Sequence, residues 1–296
     1  MSSTMDNSEW RKIFKDDKFV KNYKVGEKVT AQFAQSLLEQ SGIVGNANLS
    51  PGKTLVVFDN ACGTGIVSSL LNQQLQDEVK KNWNLTCGDI SPGMLEYTRH
   101  RSQHEDWQNV EVKLVDAQET GLPSAHYTHT ITAFAYMALP ESLAALDEST
   151  RILQPGGIIA FSTWIEPGWI TVIQKALETI TENLPLLTAE KFLFLSGRGE
   201  WNSVSWIKSQ LKQRDFENII VKTDTKAISL PGLEFVEMAM MMLPIVTKFL
   251  WTDKQREDHE HKVRPALERY LEEHYGKNAE VPMKWTAILS TARKPD

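Results

Sequence analysis

Val56-Val57-Phe58-Asp59-Asn60-Ala61-Cys62-Gly63-Thr64-Gly65 marks the point where the chain changes rhythm. Thr54 to Phe58 is a short apolar run rich in β-branched residues and reads as a buried strand. Gly63-Thr64-Gly65 breaks it, and Ile66 to Asp77 reads as a helix. Two glycines permit a tight turn and a close approach of backbone to a ligand. The start of a helix adds free N–H groups and the positive end of its dipole, which suit a carboxylate or phosphate. A plain strand-to-helix turn explains the same glycines.

Working outward, the alternation repeats. Leu85 to Cys87 reads as a second strand and Pro92 to Ser102 as a second helix, with proline at its start. Val110 to Val115 and Tyr127 to Phe134 read as the third and fourth strands. Ser142 to Leu153 reads as a helix stopped by Pro155-Gly156-Gly157, and Ile158 to Trp164 as the fifth strand. Strand and helix alternating from 54 to 164 predict a parallel sheet with crossover helices. The dinucleotide pattern G-x-G-x-x-G does not fit. Aligned on Ala61, its third position falls on Ile66, where close helix packing needs a small residue.

Three carboxylates follow successive strands. Asp59 ends the first and Asp116 the third, in Val115-Asp116-Ala117-Gln118. Asp89 ends the second, in Gly88-Asp89-Ile90-Ser91-Pro92-Gly93-Met94. Ligands of open α/β sheets bind at that carboxyl edge, where an acid can accept both hydroxyls of a ribose. Asp89 also reads as a cap for the helix after Ser91-Pro92, and Asp116 as an ordinary turn aspartate.

With Arg151-Ile152-Leu153-Gln154-Pro155-Gly156-Gly157, these segments resemble, in order, the motifs of class I S-adenosylmethionine-dependent methyltransferases. The resemblance implies a Rossmann-like seven-stranded sheet with an antiparallel final strand and a helical cap. It implies S-adenosylmethionine as cofactor and S-adenosylhomocysteine as product. By resemblance, Asp89 holds the ribose hydroxyls and Ile90 the adenine face. Asp116 and the Ala117 amide read the adenine edge. The backbone near Ala61, Gly63 and Ala133 holds the methionine part, and Met94 packs under the adenine. Asp59 belongs to the first motif. Tyr23 resembles the N-terminal tyrosine that closes over the cofactor in some relatives. Two positions depart from the family pattern: Ala61 replaces its first glycine, and Thr128 stands where strand four has an aspartate.

A narrower resemblance rests on Asp59 to Gly65, on Thr132-Ala133-Phe134-Ala135-Tyr136, and on Glu272-Glu273-His274-Tyr275-Gly276-Lys277. These runs are similar to fungal thiomethyltransferases that act on reduced epidithiodiketopiperazines such as dithiol gliotoxin. They are similar also to N-methyltransferases of those pathways. The expected function is S-methylation of a small dithiol. An N- or O-methyltransferase and a non-catalytic cofactor-binding regulator are the alternatives.

The flanks read differently from the core. Apolar marks at Phe14, Phe19, Val20, Tyr23, Val29, Phe33, Leu37 and Leu38 predict two helices within 8–42, and Ser50 to Lys53 a loop. The predicted organisation is a helical cap segment over 1–50, a cofactor-binding core over 51–165 and cap helices over 166–200. A core helix and strand over 201–231, cap helices over 232–276 and a final core strand over 277–296 complete it.

Composition bounds the function. The chain has 296 residues, of which 41% are hydrophobic and 24% charged, an ordinary globular balance. A net charge of -6 argues against nucleic acid as a partner, because that binding runs on phosphate neutralisation. Gly232 to Trp251 is the most apolar long stretch, yet Glu234, Glu237, Pro244 and Lys248 make it too polar to span a membrane. Two cysteines, Cys62 and Cys87, give no disulfide framework, and the expected compartment is the cytosol. No catalytic base and no metal site is expected. His126 and His129 flank the wrong end of strand four, His100 and His104 lack a third ligand, and Asp258 to His261 reads as a solvated face.

Overall fold

A computed structural model describes residues 17–45, 54–180, 184–194 and 199–296. Seven strands form one sheet in the order β3-β2-β1-β4-β5-β7-β6. They are β1 (Leu55–Asn60), β2 (Trp83–Asp89), β3 (Val110–Leu114), β4 (Tyr127–Ala133), β5 (Leu153–Glu166), β6 (Glu217–Pro231) and β7 (Glu280–Arg293). β1 to β5 pair in parallel, and β7 runs antiparallel between β5 and β6. The helices are α1 (Asp17–Ser41), α2 (Ile66–Gln74), α3 (Asp77–Lys80), α4 (Pro92–His104), α5 (Ser142–Ile152), α6 (Trp169–Glu178), α7 (Ala189–Phe194), α8 (Val204–Lys212), α9 (Gly232–Leu250) and α10 (Asp253–Tyr275).

The chain leaves β1, β2, β4 and β5 at one edge of the sheet. β6 is parallel to β5 through their common partner β7, so Pro231 ends at the same edge. The pair Pro231↔Glu280 and the Gly232 N–H bonded to Ala279 O at 3.0 Å close the neck of a helical insertion carrying α9 and α10. That insertion packs on α1 and α6.

Three elements differ from the sequence expectation. The described part of the N-terminal region is one helix, continuous through Gly26; residues before 17, including Phe14, and the expected loop Ser50 to Lys53 lie outside the described residues. Its second half is a sheet-packing helix as well as part of a cap: Phe33, Leu37 and Leu38 are fully buried and α1 contacts β5 and β7. Gln40 fixes it there, donating through Nε2 to Ile220 O, Leu289 O and Thr291 Oγ1 at 3.2 to 3.3 Å.

The second difference is at Pro155-Gly156-Gly157. α5 ends at Ile152, before the proline, and β5 starts at Leu153 and runs through the three residues. Gly156 adopts φ 72 and its N–H reaches Lys294 O at 3.0 Å, so a left-handed bend replaces a loop. The third is α9: the sequence pattern predicts a helix over Leu233 to Leu243, and the helix continues through Pro244 to Leu250. Proline removes one helical hydrogen bond, but burial of Phe235, Val236, Met238, Ala239 and Leu243 against the neighbouring helices outweighs it.

Thr128, the residue that departs from the family pattern, has a local role. Its hydroxyl donates to Val56 O at 2.9 Å and accepts from Val56 N at 3.0 Å. It thereby extends the β1–β4 pairing by one position beyond Val57↔His129, at the edge opposite the glycine turn.

Candidate active site

Strand β1 delivers the chain into a turn with three left-handed residues: Ala61 at φ 54, Gly63 at φ 56 and Gly65 at φ 78. The turn is bonded on every side. Cys62 N–H donates to Gly88 O at 2.9 Å and Gly65 N–H to Cys62 O at 2.9 Å. Thr98 Oγ1 donates to Gly63 O at 2.8 Å. A Cβ on Gly65 would lie 3.0 Å from Thr98 Cγ2 and 3.2 Å from Trp107, so that position is closed by packing. A Cβ on Gly63 would meet only Tyr23 Cε1, at 3.8 Å. Gly63 therefore leaves a cradle open, and the cradle faces a cavity.

That cavity, together with the open solvent at its mouth, takes up about 820 Å³. Its walls are Tyr23, Ala61, Gly63, Asp89, Ile90, Met94, Val115, Asp116, Ala117, Gln118, Ala133 to Ala135, and Ala138 to Pro140. The structure thus brings together Tyr23, Ala61, Gly63, Asp89, Ile90, Met94, Asp116, Ala117 and Ala133, all expected from sequence.

Asp59 is the exception. It is not among the walls; its Oδ2 accepts from Ser68 Oγ at 2.6 Å and it is buried. Burial pushes its carboxyl up to about 7, against the lowering effect of the Ser68 hydrogen bond, with the Asp89 charge adding to the rise. Asp59 braces the first turn of α2 rather than facing a ligand.

Asp89 is nine-tenths buried and held from both sides. Oδ2 accepts the Gly63 N–H at 2.9 Å and Oδ1 the Ser91 N–H at 2.8 Å. Burial raises its carboxyl, and the backbone donors Ser91, Gly63 and Ile90 oppose that rise. The helix cap itself is Ser91, whose Oγ accepts from Met94 N at 3.4 Å, so Asp89 supports the cap and lines the cavity at once. Asp116 Oδ1 accepts from Gln118 N and Gln118 Nε2, each at 3.0 Å. Gln118 Oε1 accepts from Glu141 N at 2.8 Å, which ties this wall to the start of α5. Tyr23 keeps its proton, pushed up to about 12 by burial and then by the charges of Asp89 and Glu27.

Sequence reasoning quoted Val115, Gln118 and Phe134 within motifs but gave no site role to them or to the 135–140 segment. Phe134 had a visible signal, standing directly after Ala133 at the tip of β4. Its φ of 56 turns the chain, and its ring stacks on Trp164 at 3.8 Å. Trp164 contacts Phe33 and Trp285 at 5.2 Å each. The other bulky cap residues serve packing: Trp169 lies edge-on to Phe192, Trp251 donates to Pro185 O at 3.1 Å, and Met238 is buried. Among the described residues that wall the cavity there is no histidine or lysine. His129 sits near the far end of β4, bonded to Thr128 Oγ1 at 3.0 Å and pushed down to about 4 by burial. The Cys62 thiol is raised by its hydrogen bond to Cys87 and by burial.

A seven-stranded sheet of this order, with an acid-walled cavity at its carboxyl edge, is the architecture of the class I methyltransferases. Residues 57–157 match the family described as "Methyltransferase domain". The chain is 40% identical to methyltransferase tpcH of Aspergillus fumigatus, over 96% of this chain and 99% of that protein. It is 40% identical to the acetylaranotin bis-thiomethyltransferase of Aspergillus terreus, over 98% of this chain and 100% of that protein. Among solved structures, phosphoethanolamine N-methyltransferase 2 of Haemonchus contortus superposes with a TM-score of 0.53 at 13% identity, over 96% of this chain and 60% of that one. The [4+2]-cyclase SpnF superposes at 0.51 and 17% identity, over 90% and 81%; such likeness shows the fold alone. The chain belongs to the methyltransferase family of these fungal enzymes and is a methyltransferase.

Proposed function

We propose that this enzyme transfers a methyl group from S-adenosylmethionine to a thiol of a small secondary metabolite, with reduced epidithiodiketopiperazines as the acceptor class. The observation that carries the reading is the match, over nearly the whole of both chains, to a protein named for bis-thiomethylation. The site supports it. The open cradle at Gly63 and the buried Asp89 beside it fit a ribose and a methionine tail. In this reading Asp89 takes the ribose hydroxyls and Ile90 and Met94 pack on the adenine. Asp116 and the Ala117 amide read its edge, the backbone at Ala61, Gly63 and Ala133 holds the tail, and Tyr23 covers it.

When bound, the cofactor supplies an electrophilic methyl on a sulfonium. The protein's work is to hold the acceptor in line with that methyl and to keep water out. A thiol with a pKa near 8.5 supplies thiolate at neutral pH without help, whereas an alcohol needs a base. Tyr23 stays protonated and no histidine is among the described residues that line the cavity, which favours sulfur over oxygen. Among the described residues no helix is long and apolar enough to cross a membrane. Free buried cysteines suit a reducing compartment, and we place the enzyme in the cytosol.

Incubation with radiolabelled S-adenosylmethionine and a reduced epidithiodiketopiperazine, an amine or a phenol tests this. Label in the dithiol alone supports the reading. Label only in the amine or phenol replaces it, and cofactor binding without transfer to any acceptor points to a regulator.

A further inference from the structure

We propose that Arg101 is a positioning residue that locks the head of α1, and with it Tyr23, onto the glycine turn, and so sets the rate at which the spent cofactor leaves. This rests on the cofactor assignment above.

Arg101 lies on α4, on the stripe that starts at Met94 in the cavity wall and passes Thr98. Its guanidinium is almost fully engaged. Nη1 donates to Thr64 O at 2.8 Å and to Glu27 Oε1 at 3.2 Å, and Nη2 donates to Glu27 Oε2 at 2.7 Å. Nε lies 3.5 Å from Glu105 Oε1. Glu105 Oε2 in turn accepts from Ser69 Oγ at 2.7 Å and Trp107 Nε1 at 2.9 Å. The side chains of Arg101 and Glu27 are only 14% and 10% exposed. One cation thus joins α1, α4 and the glycine turn, and through Glu105 reaches α2.

Glu27 stands one helical turn from Tyr23, on the same face of α1. The two halves of α1 are held differently. Its second half is pinned by the fully buried Phe33, Leu37 and Leu38. Over residues 23–28 the hold is largely polar: Glu27 to Arg101, Lys28 to Glu234 at 2.6 Å, and Lys24 Nζ 4.9 Å above the Tyr97 ring, which Arg101 also covers at 5.3 Å. A buried ion pair adds little net stability, since desolvation offsets the attraction. What the forked, bidentate guanidinium supplies is a fixed register between α1 and the Thr64 carbonyl.

The test is S-adenosylhomocysteine release, followed by stopped-flow fluorescence, together with melting temperatures with and without this ligand. The proteins are the wild type, Arg101→Met, Glu27→Gln, Tyr23→Ala and the double variant Tyr23→Ala/Arg101→Met. Arg101→Met is expected to speed release at least 10-fold and Glu27→Gln at least 3-fold. Both should show a smaller ligand-induced rise in melting temperature, Arg101→Met the smaller of the two. The double variant should release no faster than the faster single variant, because both changes undo the same contact. A purely structural pair would lower both melting temperatures equally and leave release unchanged, and that result overturns the proposal; so do single effects that multiply in the double variant. If Arg101→Met fails to fold, Glu27→Gln decides, because it keeps the side-chain shape. A wild type that does not bind S-adenosylhomocysteine overturns the cofactor reading, whereas binding with release unchanged in the variants overturns only the role of Arg101.

Discussion

The backbone N–H of Gly63 donates to Asp89 Oδ2 at 2.9 Å, while the other oxygen of that carboxylate takes the N–H of Ser91 at 2.8 Å. The tips of β1 and β2 are therefore one hydrogen-bonded unit. Asp89 shapes the turn that the tail of the proposed cofactor would touch, besides offering lone pairs to its ribose.

Asp89→Ala is expected to weaken S-adenosylhomocysteine binding by at least about 2 kcal/mol, roughly 30-fold, because two ribose hydroxyls and two backbone donors lose a charged acceptor. Titration calorimetry showing unchanged affinity would refute the assignment.

The two turn glycines should behave differently on substitution. Gly65→Ala combines a left-handed φ of 78 with contacts of 3.0 Å to Thr98 and 3.2 Å to Trp107. It should destabilise the fold by about 2–3 kcal/mol. Gly63→Ala meets only an ordinary contact with Tyr23 at 3.8 Å on the cavity side and should cost about 1–2 kcal/mol of stability, from its φ alone, yet reduce cofactor affinity more than 10-fold. Urea denaturation and calorimetry on both variants check the contrast; equal loss of stability would undo it.

Ala61 carries a left-handed φ of 54 at the position where the family motif has glycine. Strain of about 1–2 kcal/mol exceeds the roughly 0.4–1 kcal/mol of extra chain entropy that glycine costs. Ala61→Gly is expected to raise thermal stability by about 0.5–1 kcal/mol. A lower melting temperature contradicts it.

Asp59 gives the pH dependence a sign. Its folded carboxyl is raised to about 7 from the usual 3.8, so the folded state holds the proton more tightly than the unfolded chain. The stability this contributes is complete below about pH 4 and is lost as pH rises through 7. Asp59→Asn should therefore gain on the wild type between pH 5 and 8, by on the order of 2 kcal/mol. Parallel pH–stability curves for the two proteins would show that burial does not govern this group.

Sequence reading reached the alternating parallel core and most of the cavity because both depend on local signals. β-branched runs, glycines between strand and helix, and an acid after each of the first three strands are set within a few residues of one another. Asp59 shows the limit. Its spacing matches that of Asp89 and Asp116, but the side chain turns to Ser68, nine residues on, and α2 decides that. Phe134 received no site role because its place depends on stacking against Trp164 from another strand.

By itself, the amino-acid sequence determined the alternating core, the glycine turn and an acid after each of the first three strands, since hydrophobic period and turn chemistry act over short range. Only the tertiary structure decided which of the three strand-tip acids faces the cavity and that α9 runs through Pro244. It alone joined Glu27 to Arg101 across 74 positions. Such contacts depend on packing between distant segments, where burial outweighs local preference and no spacing rule records the partner.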